Sequence, residues 1–278
     1  MSIREVLASV RERCDENGIS RVDQELLLAH VLGVSRMELH AREISLDESQ
    51  AEEFERLLGE RINGSPLQYL TGEAPFRYLT FNVGPGVLIP RPESEALVDA
   101  VLVEIEKRGG EPVSIVDLGA GSGALAISIA HESLQRGARV HVVAVEKEAE
   151  ARSWLERNIA RHEVDVRVIA ADVEEALIGV RCDIVVANPP YIPDGSSLPA
   201  DVLREPRAAL FGGSDGMAAP ERFITNATRL LKSGGLLVLE HHESQAKALE
   251  ELLLSNYREV EFHHDLNDRP RWLSARRK

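Results

Sequence analysis

The chain is poor in cysteine: it has two in 278 residues, Cys14 and Cys182, far apart and outside any cluster of metal-ligating side chains. That spacing offers neither a disulfide framework nor a zinc site, and both thiols are expected to be small buried apolar groups. No apolar run approaches the roughly 18–20 residues that a bilayer span requires, and no basic-then-apolar signal pattern opens the chain. The expectation is a cytoplasmic protein with no membrane partner. Positive charge is scarce as well, with 32 Lys and Arg against 46 Asp and Glu, a net charge of −14. Phosphate binding rests on Lys and Arg, so a broad nucleic-acid surface is disfavoured and no direct nucleic-acid contact is expected. The shortage is uneven. Residues 1–75 hold 8 basic against 15 acidic side chains, whereas residues 269–278 hold five basic residues and no acid. That basic tail reads as a solvated terminal strand. Internal repeats and low-complexity tracts are missing too.

The composition that remains, 44% hydrophobic and 28% charged, is that of a globular protein with room for a catalytic domain and a smaller one. Residues 2–62 carry helical spacing: Ile3, Val6, Leu7 and Val10 share a face. Asp23 is placed to cap a second helix, Ser35 a short third and Asp47 a fourth running to about Ile62. From Asn63 to Pro92 the chain is broken by Gly and Pro, with Phe76–Val83 and Val87–Ile89 read as a short hairpin. Beyond that, strands are expected at Ser114–Asp117, Val140–Val145, Val166–Ala170, Asp183–Ala187 and Leu236–Glu240, separated by helices, with a closing pair near 259–263 and 271–275. Such alternation is the pattern of a parallel sheet with crossover helices. The expected domains are a helical bundle for substrate recognition at 1–65, a hairpin linker at 66–92 and a catalytic α/β domain at 93–278. A monomer is the default.

Three consecutive strand ends carry chemistry. Val116-Asp117-Leu118-Gly119-Ala120-Gly121-Ser122-Gly123 follows an apolar strand and opens a helix. Its glycines let a ligand approach the backbone, and the helix start offers free N–H groups. The spacing is Gly-x-Gly-x-Gly, not the Gly-x-Gly-x-x-Gly of dinucleotide binders. Glu146 ends the next strand, where a carboxylate can accept both hydroxyls of a ribose, and Asp172 and Val173 follow the third, placed for the amino group and face of an adenine. Each feature alone is an ordinary turn or cap; three in succession on one sheet edge are harder to dismiss. The arrangement resembles the class I S-adenosylmethionine-dependent methyltransferases, in which an acid such as Asp117 opens the glycine motif. It implies a Rossmann-like, mostly parallel sheet with a closing antiparallel strand, and S-adenosylmethionine as cofactor with S-adenosylhomocysteine as product. Nicotinamide enzymes are the competing class.

The fourth strand runs into Asn188-Pro189-Pro190-Tyr191. Prolines fix φ and remove backbone donors, leaving carbonyls as acceptors. The Asn188 side-chain oxygen and the Pro189 carbonyl can together hold both N–H bonds of a planar NH₂ group, and Tyr191 offers a ring face to a flat substrate. An amide nitrogen is a poor nucleophile, and two acceptors aim it and favour the positive charge that builds on transfer. No strong base is needed, because the proton is lost after methylation. The tetrapeptide occurs in amino-methyltransferases acting on DNA, ribosomal RNA and protein glutamine.

A fuller resemblance separates these. Pro66–Gly72, Leu88–Glu95, the glycine motif, Asn188–Tyr191, Glu205-Pro206 and Gly234–His241 occur in order along nearly the whole chain. Together they resemble the HemK/PrmC family of peptide-chain-release-factor glutamine N5-methyltransferases. The resemblance implies methylation of the glutamine in the Gly-Gly-Gln motif of class I release factors. It places Gly119–Gly123, Glu146 and Val173 at the cofactor, Asn188–Tyr191 at the glutamine, and Arg91 and Glu93 at the border of the active site. An ordinary Arg91–Glu93 ion pair is the competing reading of the last two. Phe76 is assigned to the substrate side more loosely, since Ala74-Pro75-Phe76 stands where the family commonly has Arg-Glu-Phe. Val173 also departs from the aromatic residue frequent there, implying aliphatic cover for the adenine. A sister group methylating a ribosomal-protein glutamine typically has Pro-Arg-Ser-Pro, whereas this chain has Pro90-Arg91-Pro92-Glu93. A DNA adenine-N6 enzyme would need a basic face and a target-recognition region.

Overall fold

The computed structural model describes residues 2–42, 44–265 and 268–278, and the chain divides into two compact units. The first comprises Met1–Glu73 together with Leu198–Arg204; the second comprises Ala74–Ser197 and Glu205–Lys278. This division falls later than residue 65 and lends the helical unit a short loop from the second half. Arg61 explains the loan, because its guanidinium bonds both Asp23 and Asp201, and Arg204 donates to the Asn63 carbonyl.

The helical unit contains α1 (Ile3–Ser9), α2 (Arg11–Glu16), α3 (Arg21–Leu32), α4 (Arg36–Ala41), α5 (Glu48–Ile62) and α6 (Leu67–Thr71). Helix α2 falls within the region read as helical, whereas α6 lies in the stretch from Asn63 to Pro92 that Gly and Pro were expected to break. The second cap is also corrected: Ser20, not Asp23, caps α3, with its side chain accepting from the Asp23 N–H at 3.0 Å. Ser35 and Asp47 cap α4 and α5 as spacing suggests. The apolar faces meet in one core around Leu27, Leu28, Phe54 and Leu58, all fully buried. Buried Glu25 is held by Arg21, Arg36 and His40; despite its burial, these donors draw its pKa down to about 2.

The second unit opens with a hairpin of β1 (Glu73–Phe76) and β2 (Leu79–Asn82), earlier than expected; Val87–Ile89 is a buried loop instead. The turn is made by Arg77 in the left-handed region (φ 51°), which sequence cannot announce in a non-glycine residue. Its N–H donates to Glu95 and its guanidinium reaches Glu132 and Asp99. Then follow α7 (Glu95–Lys107), β3 (Val113–Leu118), α8 (Ala124–Gln135), β4 (Val140–Val145), α9 (Ala149–His162), β5 (Val166–Ile169) and β6 (Cys182–Ala187). The remainder is α10 (Arg207–Leu210), α11 (Ala218–Leu230), β7 (Leu231–Glu240), α12 (Ala246–Leu253), β8 (Tyr257–His264) and β9 (Pro270–Arg277).

The sheet order is β5-β4-β3-β6-β7-β9-β8, parallel from β5 to β7 and antiparallel at β9 and β8. The basic tail is therefore no solvated edge. Strand β9 lies between β7 and β8, with Arg276 paired to Glu104 of α7. All of β6 is buried, as expected of a central parallel strand covered on both faces. The chain order reverses at β3, whose neighbours are β4 on one side and β6 on the other, and open α/β sheets bind ligands outside the carboxyl ends of such strands.

Candidate active site

Register sets the site. Leu118 pairs with Val145 and with Ala187, and Val145 pairs with Ile169. The next residues, Gly119, Glu146 and Asn188, consequently emerge level on three adjacent strands. Leu239 pairs with Ala187, so Glu240 emerges beside Asn188. A cavity of about 310 Å³ opens along this edge, within the roughly 300–1,000 Å³ range of small-molecule sites.

Gly119, Ala120, Gly121 and Ser122 form one wall of the cavity. Gly119 (φ 71°) and Gly123 (φ 85°) need positive φ, and a Cβ on Gly123 would stand 2.4 Å from the Leu155 side chain. Gly123 thus lets the loop sit on α9 before α8 begins. Glu146 faces the loop: one carboxylate oxygen accepts from the Gly121 N–H and the other from the Glu148 N–H, each at 2.9 Å. Every carboxylate oxygen has a second lone pair, so this fixed group can accept further hydrogen bonds on the cavity side. Val173 and Phe223 add apolar cover.

Asp172 differs from expectation. Its carboxylate accepts from the Glu174 N–H and is paired with Arg222 and Lys147, which hold its pKa below the usual range in spite of burial. It borders the cavity already engaged in an ion network, and its partner Arg222 lines the cavity as well.

Asp117 is wholly buried; one oxygen accepts from the Ala126 N–H at 3.1 Å, and the other has no hydrogen-bond partner among the described residues. Burial, reinforced by the nearby Glu146 charge, pushes its pKa up from 3.8 to about 7. A carboxyl whose folded pKa exceeds its unfolded value binds more protons in the folded state. Asp117 therefore imposes no penalty below pH about 4, a growing one from about 4 to 7, and a constant one above, of roughly 4 kcal/mol by linkage. In urea titrations of the ligand-free chain, the stability of Asp117→Asn relative to the parent should rise across that window. Parallel pH curves would contradict this account.

The Asn188–Tyr191 turn lies at the far end of the cavity. Asn188 and Pro190 line it, as do Phe76 and Arg91; Pro189, Tyr191 and Glu93 do not. The Tyr191 hydroxyl instead donates to Glu240 at 3.1 Å, and burial beside that carboxylate raises its pKa well above 10. The Asn188 Nδ2 donates to the Ser94 hydroxyl at 3.1 Å, and Ser94 donates to the other Glu240 oxygen. Glu240 is only 1% exposed, and burial lifts its pKa to about 7 against the pull of Ser94, Tyr191 and Arg271. The Gln245 side chain donates to the Tyr191 and Gly216 carbonyls, tying the turn to the loop behind it.

Arg91 pairs with Glu205, not with Glu93, which is exposed. Glu205 also accepts the Ile89 N–H at 2.9 Å, so it fastens the Pro90-Arg91-Pro92 segment along the cavity. Ser94, Glu205 and Glu240 lay inside recognised motifs without an assigned part. Phe223 and Arg222 had no local signal, since the spacing of α11 marks only an apolar face.

Residues 5–72 match a family model described as the PrmC N-terminal domain, and residues 94–213 match the methyltransferase small domain. The chain is 40% identical over 266 residues to the release factor glutamine methyltransferase of Mycolicibacterium smegmatis, covering 92% of this chain and 90% of that protein. Identity to the Moorella thermoacetica protein of the same name is 37%, over 100% of this chain and 99% of the relative. The Escherichia coli K12 protein of that name is 35% identical over 90% of both. Among solved structures, a T. thermophilus 16S rRNA N2 methyltransferase in complex with AdoMet and guanosine superposes with TM-score 0.52 at 24% identity, over 74% of this chain and 50% of that one. A Pyrococcus furiosus methyltransferase gives TM-score 0.51 at 16% identity, over 70% and 87%. These structural likenesses concern the fold.

Proposed function

The chain belongs to the release factor glutamine methyltransferases, and from that premise we propose that its cavity joins S-adenosylmethionine to the glutamine of a Gly-Gly-Gln motif in class I release factors. The observation that carries the proposal is the level emergence of Glu146 and Asn188 on either side of the Gly119 loop, along one cavity.

S-adenosylmethionine, when bound, supplies an electrophilic methyl group on a sulfonium. The cavity's chemistry fits such a ligand. Glu146 offers acceptors to a ribose diol, Val173 and Phe223 offer apolar contact to a base, and the unpartnered Asp117 oxygen suits a cationic portion. A cation there would also restore the charged form that burial disfavours. Asp117, Gly119–Gly123, Glu146 and Val173 are the proposed cofactor residues, with Asp172 acting through Arg222 and Lys147.

In this reading Asn188 Oδ1, on the cavity wall, accepts one N–H bond of the glutamine amide, and the carbonyl of the adjacent Pro189, a residue that does not itself line the ligand-free cavity, accepts the other, so that together they aim the nitrogen. The Pro189 ring adds no competing backbone donor. Tyr191 braces the turn through Glu240 rather than through its ring face alone. Phe76 and Arg91 border the entry, and the Arg91–Glu205 pair holds that border in place. The helical unit, with its excess of acidic residues, is proposed to dock the protein substrate. The working form is proposed as a cytoplasmic monomer without direct nucleic-acid contact; among the described residues, no helix is long and apolar enough to cross a membrane.

Incubation with labelled S-adenosylmethionine and a release factor should label the factor. A Gly-Gly-Gln→Gly-Gly-Ala version and duplex DNA should stay unlabelled. Label on DNA, or undiminished label on the altered factor, would overturn the reading. Label on a ribosomal protein in place of the factor would favour the sister activity.

A further inference from the structure

Resting on the assignment of Asn188 to the glutamine amide, we infer that Ser94 and Glu240 are positioning residues that decide which end of the Asn188 carboxamide faces the substrate. A carboxamide presents an oxygen and an NH₂ of nearly equal shape, and only the oxygen can accept a substrate N–H. A flipped Asn188 would set donor against donor. Its orientation must therefore be fixed by its own hydrogen-bond partner, and that partner is Ser94, which borders the cavity beside it.

The hydrogen-bond inventory supplies that control. An ionised carboxylate accepts only, so the single Ser94 hydroxyl proton is committed to Glu240. The Ser94 oxygen is left as an acceptor, and Asn188 must turn its NH₂ toward it, as observed at 3.1 Å. Asn188 Oδ1 is thereby turned the other way. The second Glu240 oxygen takes the Tyr191 hydroxyl, fastening the other end of the same turn. Ser94 and Glu240 are 4% and 1% exposed, which leaves little access for water to replace either partner. Strand register brings Glu240 level with Asn188, and the 3₁₀ turn Pro92–Ser94 delivers the hydroxyl from the start of α7. The Pro-Arg-Pro-Glu-Ser segment thus acts on the reaction through its serine.

The test compares the full-length parent with Ser94→Ala, Ser94→Thr, Glu240→Gln and the Ser94→Ala/Glu240→Gln double variant. A release factor is the substrate at pH 8, above the value of about 7 to which burial lifts Glu240. Ser94→Ala should lower kcat per cofactor-binding site about tenfold, the scale of one lost hydrogen bond, with KM and S-adenosylmethionine Kd within about twofold. Ser94→Thr, which keeps the hydroxyl, should recover most of that loss. Glu240→Gln, whose remaining side-chain oxygen can still accept the Tyr191 hydroxyl, should add little in the Ser94→Ala background, since what it loses is the Ser94 contact that sets the Asn188 orientation. Parental kcat in Ser94→Ala, failure of threonine to rescue, or additive losses would overturn the inference; should Glu240→Gln not fold, the two Ser94 variants decide it. Asn188→Ala, run in parallel, separates the two readings. Activity there sinks the assignment of Asn188 itself, whereas an inactive Asn188→Ala beside a fully active Ser94→Ala sinks only the positioning role.

Discussion

Asn188→Ala is expected to lower kcat about a thousandfold while leaving the Kd for S-adenosylmethionine within about twofold. Positive charge develops on the amide nitrogen only as the methyl is transferred, so an acceptor at its N–H is worth more in the transition state than in the ground state. Removing one such preorganised group costs about 3–4 kcal/mol in comparable sites. Asn188 borders the cavity at the β6 end, whereas the fixed Glu146 acceptor stands at the β4 end, across β3. The loss should therefore fall on kcat. Single-turnover kinetics together with calorimetric titration of the cofactor would check it; a matching loss of cofactor affinity would assign Asn188 to the other ligand.

Glu146→Ala should produce the opposite split. Its carboxylate already holds the Gly121 and Glu148 N–H groups, so it is aimed before any ligand arrives. Two charge-assisted bonds to a diol, at roughly 1.5–3 kcal/mol each, predict a weakening of cofactor affinity by at least about 100-fold. Losing the Gly121 contact would also loosen the glycine loop. Saturating cofactor should restore most of kcat. If affinity fell less than about fivefold, Glu146 would be a loop brace with no ligand of its own.

The contrast between these variants follows from which parts of the site are local in sequence. The glycine motif was legible because Gly119 and Gly123 answer backbone needs that few other residues meet, and because strand, turn and helix follow one another directly. The parallel sheet was legible from runs such as Cys182–Ala187, whose complete burial leaves no alternation to confuse with an exposed strand. Pairings across long separations were not. Ser94 meets Glu240 across 146 residues and Arg91 meets Glu205 across 114. Each carboxylate, seen alone, is an acid at the end of an apolar or loop segment. Asp172 was visible at its strand end, but not its ion pair with Arg222, 50 residues on. The hairpin was misplaced because Arg77 takes a glycine-like φ that its surroundings enforce. Likewise, the basic tail looked solvated only while its partner Glu104, 172 residues earlier, was out of view.

The central claim is that the Asn188–Tyr191 turn presents one glutamine side-chain nitrogen to the methyl donor. Fragmentation mass spectrometry of a class I release factor, after incubation with the chain and S-adenosylmethionine, tests it most directly. The account predicts a single added methyl on the side-chain nitrogen of the Gly-Gly-Gln glutamine, missing when Asn188→Ala replaces the parent. A methyl on another residue, or on that glutamine at parental rate with Asn188→Ala, would contradict it.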